Sequence, residues 1–253
     1  MPQKLNNFIH FLAAEKENTI KVCVNLGKDF FFFHNLDILF QKMLEIGIEP
    51  SKNILIPSYL FLNVHREYYL GIDHFLSLHN TKSFLNLRSA IDSTFTAYYL
   101  LKNPEKLDVY LQTIKGHKVD EELKKEWKST FLNIKRTMKD NETSFPLSKK
   151  LVEIHEFCSV YAHADALSLV TRYAESPGDT LELNYFDYEQ TPEDYKKWMG
   201  TLLFGFFEVL IVFWKEFFES RAKNKSQEII TRLKTYNNVL TEFRGKYKFK
   251  TNL

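Results

Sequence analysis

The sequence predicts an all-α fold: a multi-helix bundle with one small β-hairpin inserted before the last long helices. Three observations carry this. Only 8 Gly and 7 Pro occur in 253 residues, and so few breakers suit long helices. Apolar residues recur at three- and four-residue spacings through most of the chain, the period of one helix face. Apolar residues make up 44% against 26% charged, a balance that suits a globular domain. With 23 Phe and 13 Tyr, the core is aromatic, and each ring buries a large area. Residues 1–253 read as a single domain, with N-terminal helices over 1–55, a bundle core over 56–220, and a basic C-terminal helix and tail over 221–253.

The first helical stretch runs from about Leu5 to Ile46, with a break near Asn25-Leu26-Gly27. Its Phe30-Phe31-Phe32-Phe33 block is too dense to face water. Glu49-Pro50-Ser51 interrupts the pattern. Pro57-Ser58 opens a second helix, proline being favoured in a first turn. It reaches about His79 on the stripe Phe61, Val64, Tyr68, Ile72 and Phe75. A third helix spans about Lys82 to Leu101 on Phe84, Leu87, Ile91, Phe95 and Tyr98. Asn103-Pro104 ends it, because the residue before a proline disfavours helical geometry. Short helices follow near Glu105–Thr113 and Asp120–Met138. Phe145-Pro146 then opens a helix to about Ala164 on Leu147, Leu151, Ile154, Cys158 and Tyr161.

The period changes next. Residues 168–175 and 180–187 alternate in part around Ser176-Pro177-Gly178-Asp179, the signature of a hairpin. An isolated hairpin is marginal in water, so it must lie on the helices or pair with another chain. Thr191-Pro192-Glu193-Asp194 is a helix start, with an N-cap, a first-position proline and acids in the first turn. That helix runs to about Ser220, and a last one spans about Gln227 to Phe243.

The stretch from Trp198 to Trp214 is almost wholly apolar, with Glu208 inside it. Its 17 residues sit at the lower edge of the roughly 17–25 needed to span a bilayer. A charged Glu208 costs roughly a few kcal/mol in lipid. A helix apolar on all sides is also the central element of a large bundle, and this is the reading adopted: no membrane span. The alternative is a membrane-associated protein held through 198–214.

Two cysteines, Cys23 and Cys158, make no disulfide framework and no C-x-x-C pair. The opening residues carry no apolar signal region, and the protein reads as cytoplasmic. The net charge of +2 hides an asymmetry. From Arg221 to Leu253 nine Lys or Arg face only Glu228 and Glu242, a local +7 that leaves about −5 for the rest.

No P-loop, Gly-rich dinucleotide turn, nucleophile elbow or His-Glu-x-x-His pattern occurs. No cofactor is expected, and whether the chain is an enzyme is left open. Two constellations stand out. Arg88 and Asp92 are four apart and share a helix face. A half-buried Arg grips a carboxylate or phosphate with two prongs, and the same pair also reads as an intrahelical salt bridge at the rim of the core. Glu156 and His163, seven apart, share a face of the later helix, with Tyr161 close by. His163 reads as a general acid or base near neutral pH, as a cation facing a helix C-terminus, or as a structural hydrogen-bonder. No metal is expected: His155 and His163 lie about 80° apart around the helix, and His155, Glu156, His163 and Asp165 make a poor ligand set. In the tail Lys246, Lys248 and Lys250 alternate with aromatics, which suits either phosphate contact with base stacking or a solvated helix end.

Leu87-Arg88-Ser89-Ala90-Ile91-Asp92, the following Asn103-Pro104, Tyr161-Ala162-His163, a hairpin and a long apolar helix occur in that order. Over about Phe61 to Phe218 the chain resembles a family of uncharacterised bacterial helical proteins related to the HEPN superfamily. The resemblance implies a helical bundle, often a homodimer, with RNA as substrate or an RNA or protein partner. Many such proteins cleave RNA through an Arg-polar-x-x-x-His motif. Carried over, His163 takes the histidine position and Cys158 the arginine position. Cysteine cannot hold a phosphate as guanidinium does, so the resemblance implies a non-catalytic binding or interaction module. A metal-independent ribonuclease using Arg88, Asp92 and His163 is the alternative, with Arg88 supplying the missing cation from a neighbouring helix.

Overall fold

The computed structural model describes residues 8–46, 52–114, 121–162, 186–187, 191–222 and 225–247. Among these residues ten α-helices follow in order: α1 (Phe8–Leu26), α2 (Phe31–Leu44), α3 (Lys52–Leu76), α4 (Asn80–Lys102), α5 (Leu107–Ile114), α6 (Glu121–Phe131), α7 (Ile134–Asp140), α8 (Ser148–Ala162), α9 (Pro192–Phe213) and α10 (Ser226–Tyr247). A π-helical turn, Trp214–Phe218, continues α9. The fold is all-α. The hairpin over 168–187 lies outside the described residues apart from Phe186 and Asp187, and neither of these is in a strand.

The break in the first helical stretch falls at Gly27, which takes φ +53°, a left-handed conformation that glycine adopts without a Cβ clash. A 3₁₀ turn, Gly27–Phe30, then leads into α2. Of the four phenylalanines Phe33 is buried, Phe30 and Phe32 are half-buried, and Phe31 is 61% exposed. The expectation that the block avoids water therefore fails at Phe31. Four consecutive helical residues point around the whole helix, and one must face outward.

The second helix begins at Lys52, with Pro57 inside it rather than at its head. The Ser58 hydroxyl, next to that proline, bonds the Ile54 carbonyl at 2.6 Å. The expected helix over 120–138 splits at Leu132-Asn133 into α6 and α7.

α3 and α4 form an antiparallel hairpin with the widest contact among the described helices, and α8 and α9 pack on α4. α10 lies against α9 and α2, and α1 lies against α3. Helical stripes explain this: Phe61, Val64, Tyr68 and Phe75 of α3, and Phe84, Leu87, Ile91, Phe95 and Tyr98 of α4, are all buried. α9 is closed in on nearly every side, from Met199 to Phe213. Phe61 meets Phe213 and Phe218 at 4.9 Å each, and Tyr68 meets Phe206 at 5.2 Å. α9 approaches α4 closely because residue 205 is glycine; a Cβ there would lie 2.4 Å from Leu87 Cδ2.

The start of α9 follows the sequence pattern. The Thr191 hydroxyl donates to Asp194 Oδ2 at 2.7 Å, while its oxygen accepts the Asp194 N–H at 3.3 Å. Glu208, the acid within the apolar stretch, is 13% exposed and meets Lys150 of α8 at 2.9 Å. The stretch 198–214 is thus the hub of the core. Among the described residues no helix is long and apolar enough to cross a membrane.

α4 is capped from afar. His79 precedes it and supplies no side-chain cap. Instead Asp187 Oδ2 accepts the Thr81 N–H at 3.3 Å, and the Asp187 N–H bonds the Leu78 carbonyl at 2.8 Å. Phe186 stacks on Phe11 of α1 at 5.2 Å.

Candidate functional site

α4 and α8 run antiparallel, so Arg88 and Asp92 of α4 face the later half of α8. Phe84 meets Phe157 at 5.4 Å and Tyr98 meets Phe145 at 5.2 Å, which fixes the register. Asp92 does not pair with Arg88. Its Oδ1 lies 3.0 Å from Nε2 of His155, whose side chain is 6% exposed against 53% for Asp92. The intrahelical salt bridge offered by the spacing is therefore replaced by a bond between helices. The ring donates its Nε2–H to that carboxylate, and burial of the ring rewards a satisfied nitrogen.

Asp92, His155 and Ser159 lie in a line, but the line is not a nucleophile relay. Ser159 Oγ is 3.4 Å from His155 Nδ1 and donates its proton to the His155 carbonyl at 2.7 Å. A hydroxyl whose proton is already given to the backbone one turn back is a structural group.

Cys158 is wholly buried between the same helices. Burial pushes its thiol far up; the Arg88 guanidinium opposes this, and the Asp92 carboxylate adds to it. Arg88 and Asp92 thus both act on Cys158, the position five residues before His163. Arg88 itself is half-buried and carries no ion pair among the described residues.

Glu156 is exposed and pairs outward with α7, to Lys139 at 3.2 Å and Lys135 at 4.0 Å. It does not join Arg88 and Asp92. His163, Asp165, Lys248 and Lys250 lie outside the described residues, as does the side chain of Tyr161. Lys246 is exposed, 5.2 Å from the Tyr247 ring centre. The aromatics interleaved with the basic residues of α10 are largely core: Tyr236 is 5% and Phe243 6% exposed. Those two rings cannot stack on bases. Arg244 lies 3.8 Å over the Phe204 ring and feels Glu208, so it too serves α9.

Sequence reasoning missed a set of histidine clamps. His65 of α3 meets Asp37 of α2 at 2.8 Å, and Asp37 also accepts from Tyr69 at 2.7 Å and Gln41 at 2.6 Å. His74 of α3 bonds Asn86 of α4 at 2.8 Å, and Asn86 donates to the buried Glu67 at 2.6 Å. His79 meets Glu15 of α1 at 3.0 Å. Each pair is distant in sequence, so no spacing rule finds it.

Among the described residues no group of three or more His, Cys, Asp or Glu could hold a metal. A groove of about 360 Å³ runs between α2 and α10 past Phe32, Asn35, Thr231 and Arg232. Thr231 and Thr235 bond carbonyls within α10, and Arg232 bonds Glu228. No family model, curated protein or solved structure matches the chain.

Proposed function

We propose that the chain is a cytoplasmic, non-catalytic helical binding module, in line with its resemblance to HEPN-related proteins, and that it takes a phosphate-bearing partner, RNA in the first instance, at Arg88. One observation carries this reading. Arg88 is a half-buried guanidinium with no ion pair among the described residues, held at the seam of α4 and α8. A guanidinium so placed keeps its forked donors for a phosphate. The non-catalytic part rests on the commitments of its neighbours. The Asp92 carboxylate serves His155, and the Ser159 proton serves a carbonyl.

The test is fluorescence anisotropy with a labelled single-stranded RNA at low salt. Arg88→Ala weakens binding by about tenfold or more, as loss of a charge-assisted hydrogen bond does, while the RNA stays intact. Equal affinity in the variant, or no RNA binding at all, rejects the proposal.

The ribonuclease reading keeps one specific support, the influence of Arg88 on the Cys158 position. In that reading Arg88 holds the phosphate and His163 moves the proton. RNA cleavage that His163→Ala abolishes would establish it in place of the first.

A further inference from the structure

α2 and α10 run antiparallel: the Tyr236 hydroxyl donates to the Phe32 carbonyl at 3.3 Å, and Lys225 Nζ donates to the Glu45 carbonyl at 2.7 Å. The groove of about 360 Å³ between them therefore has two unlike ends. At the Phe32 end the wall is apolar, made by Phe32, the buried Tyr236 and Val239, which is 43% exposed. The Tyr236 hydroxyl is turned to the backbone, so its ring offers the groove only carbon. Ile38 and Leu39 carry the apolar lining toward the other end.

Arg232 stands at that other end. It gives its Nε–H to Glu228 at 2.9 Å and makes no further hydrogen bond or ion pair among the described residues. Both Nη groups keep their donors. Two N–H groups side by side on a guanidinium match the two oxygens of a carboxylate. The charges around this end favour an anion: Lys42, Lys225 and Arg232 stand against Glu45 and Glu228. The hydrogen bond from Lys42 holds the Glu45 carboxyl below its usual range, and the charges of Lys225 and Arg232 lower it further. Thr231 and Thr235 give their hydroxyl protons to carbonyls of α10. Donation into the groove is thus left to Arg232 and the Asn35 amide. At about 30 Å³ per water-sized group the space holds roughly a dozen non-hydrogen atoms, within the range of a small-molecule site.

We infer that the groove between α2 and α10 binds a small apolar carboxylic acid. Its carboxylate lies on the Nη edge of Arg232, and its hydrocarbon body runs past Leu39 to Phe32 and Val239. The site lies on other helices than Arg88 and takes a ligand of another class.

Isothermal titration calorimetry of the whole chain with sodium decanoate, an acid of about that size, tests it. Decanoate binds at a single site per chain. Arg232→Gln weakens it about tenfold, as loss of a charge-assisted hydrogen bond does. Val239→Asp sets a charge at the apolar end and weakens it to a similar extent. Hexanoate, too short to reach Val239, binds at least about tenfold more weakly. Lys234→Gln is the control: it removes the same charge from an exposed position of α10 outside the groove and leaves the affinity unchanged. Each variant keeps the helical circular dichroism of the native chain. No binding of decanoate, equal binding of decanol or decylammonium, full affinity in Arg232→Gln or Val239→Asp, or an equal loss in Lys234→Gln would each overturn the inference.

Discussion

His79 sits where α1, α3 and α4 meet, ringed by Phe11, Phe186 and His74. Burial lowers its pKa below the usual 6.5, and the hydrogen bond its ring donates to Glu15 raises it only in part. The folded chain thus holds the neutral ring more strongly than the unfolded chain does. Near the unfolded value the unfolded state binds more protons, so this contribution is complete above about pH 6.5 and is lost as the pH falls. The urea midpoint is expected to drop between about pH 7.5 and about pH 5.5, and His79→Gln should flatten that drop. An equal drop in the variant rules His79 out as its source. At this scale the sequence was half legible. Arg88 and Asp92 stood out because helical spacing puts them on one face. His155, the real partner of Asp92, is 63 residues away, and the relative rotation of two helices is not written in either one.

The close approach of α9 to α4 depends on Gly205. Alanine gains about 1 kcal/mol over glycine in a helix interior. Against this, a Cβ at 2.4 Å from Leu87 Cδ2 forces a packed core to shift, typically at about 1–3 kcal/mol. Gly205→Ala is therefore expected to destabilise by about 1 kcal/mol net. In a Leu87→Ala background the methyl group enters the space vacated, and the same change becomes neutral or stabilising. A double-mutant cycle by urea denaturation reads this coupling directly; additive effects would show that the two residues do not compete for space. Elements were the most legible part of the sequence. The stripes of α3 and α4, the Gly27 break and the Thr191 cap all follow from local chemistry. The cap of α4 does not, because Asp187 reaches it across 106 residues, and neither does the division between α6 and α7, where no breaker stands.

One cluster of buried residues runs from Ala14 to Phe243 without a division. A single core implies a single cooperative transition. Tryptophan fluorescence from Trp214, buried in that core, and Trp198, packed against it, and helical circular dichroism should trace coincident urea curves. Two separated midpoints would mean that part of the bundle unfolds alone. The all-α class was legible from composition and period, and the core position of 198–214 from its length and its one acid. The pairing of helices was not legible, since it rests on clamps such as His65–Asp37 and on the depth of one glycine.

α9 is the hub on which α3, α4 and α8 close, yet it is among the last helices to be made. On the ribosome α4 is finished at Lys102 and α9 only at Phe213. At about 5–20 residues per second, that interval is roughly 6–22 s. Throughout it the parts of α3 and α4 that α9 covers have no permanent cover, and the nascent chain presents to chaperones the same surface that the finished molecule hides.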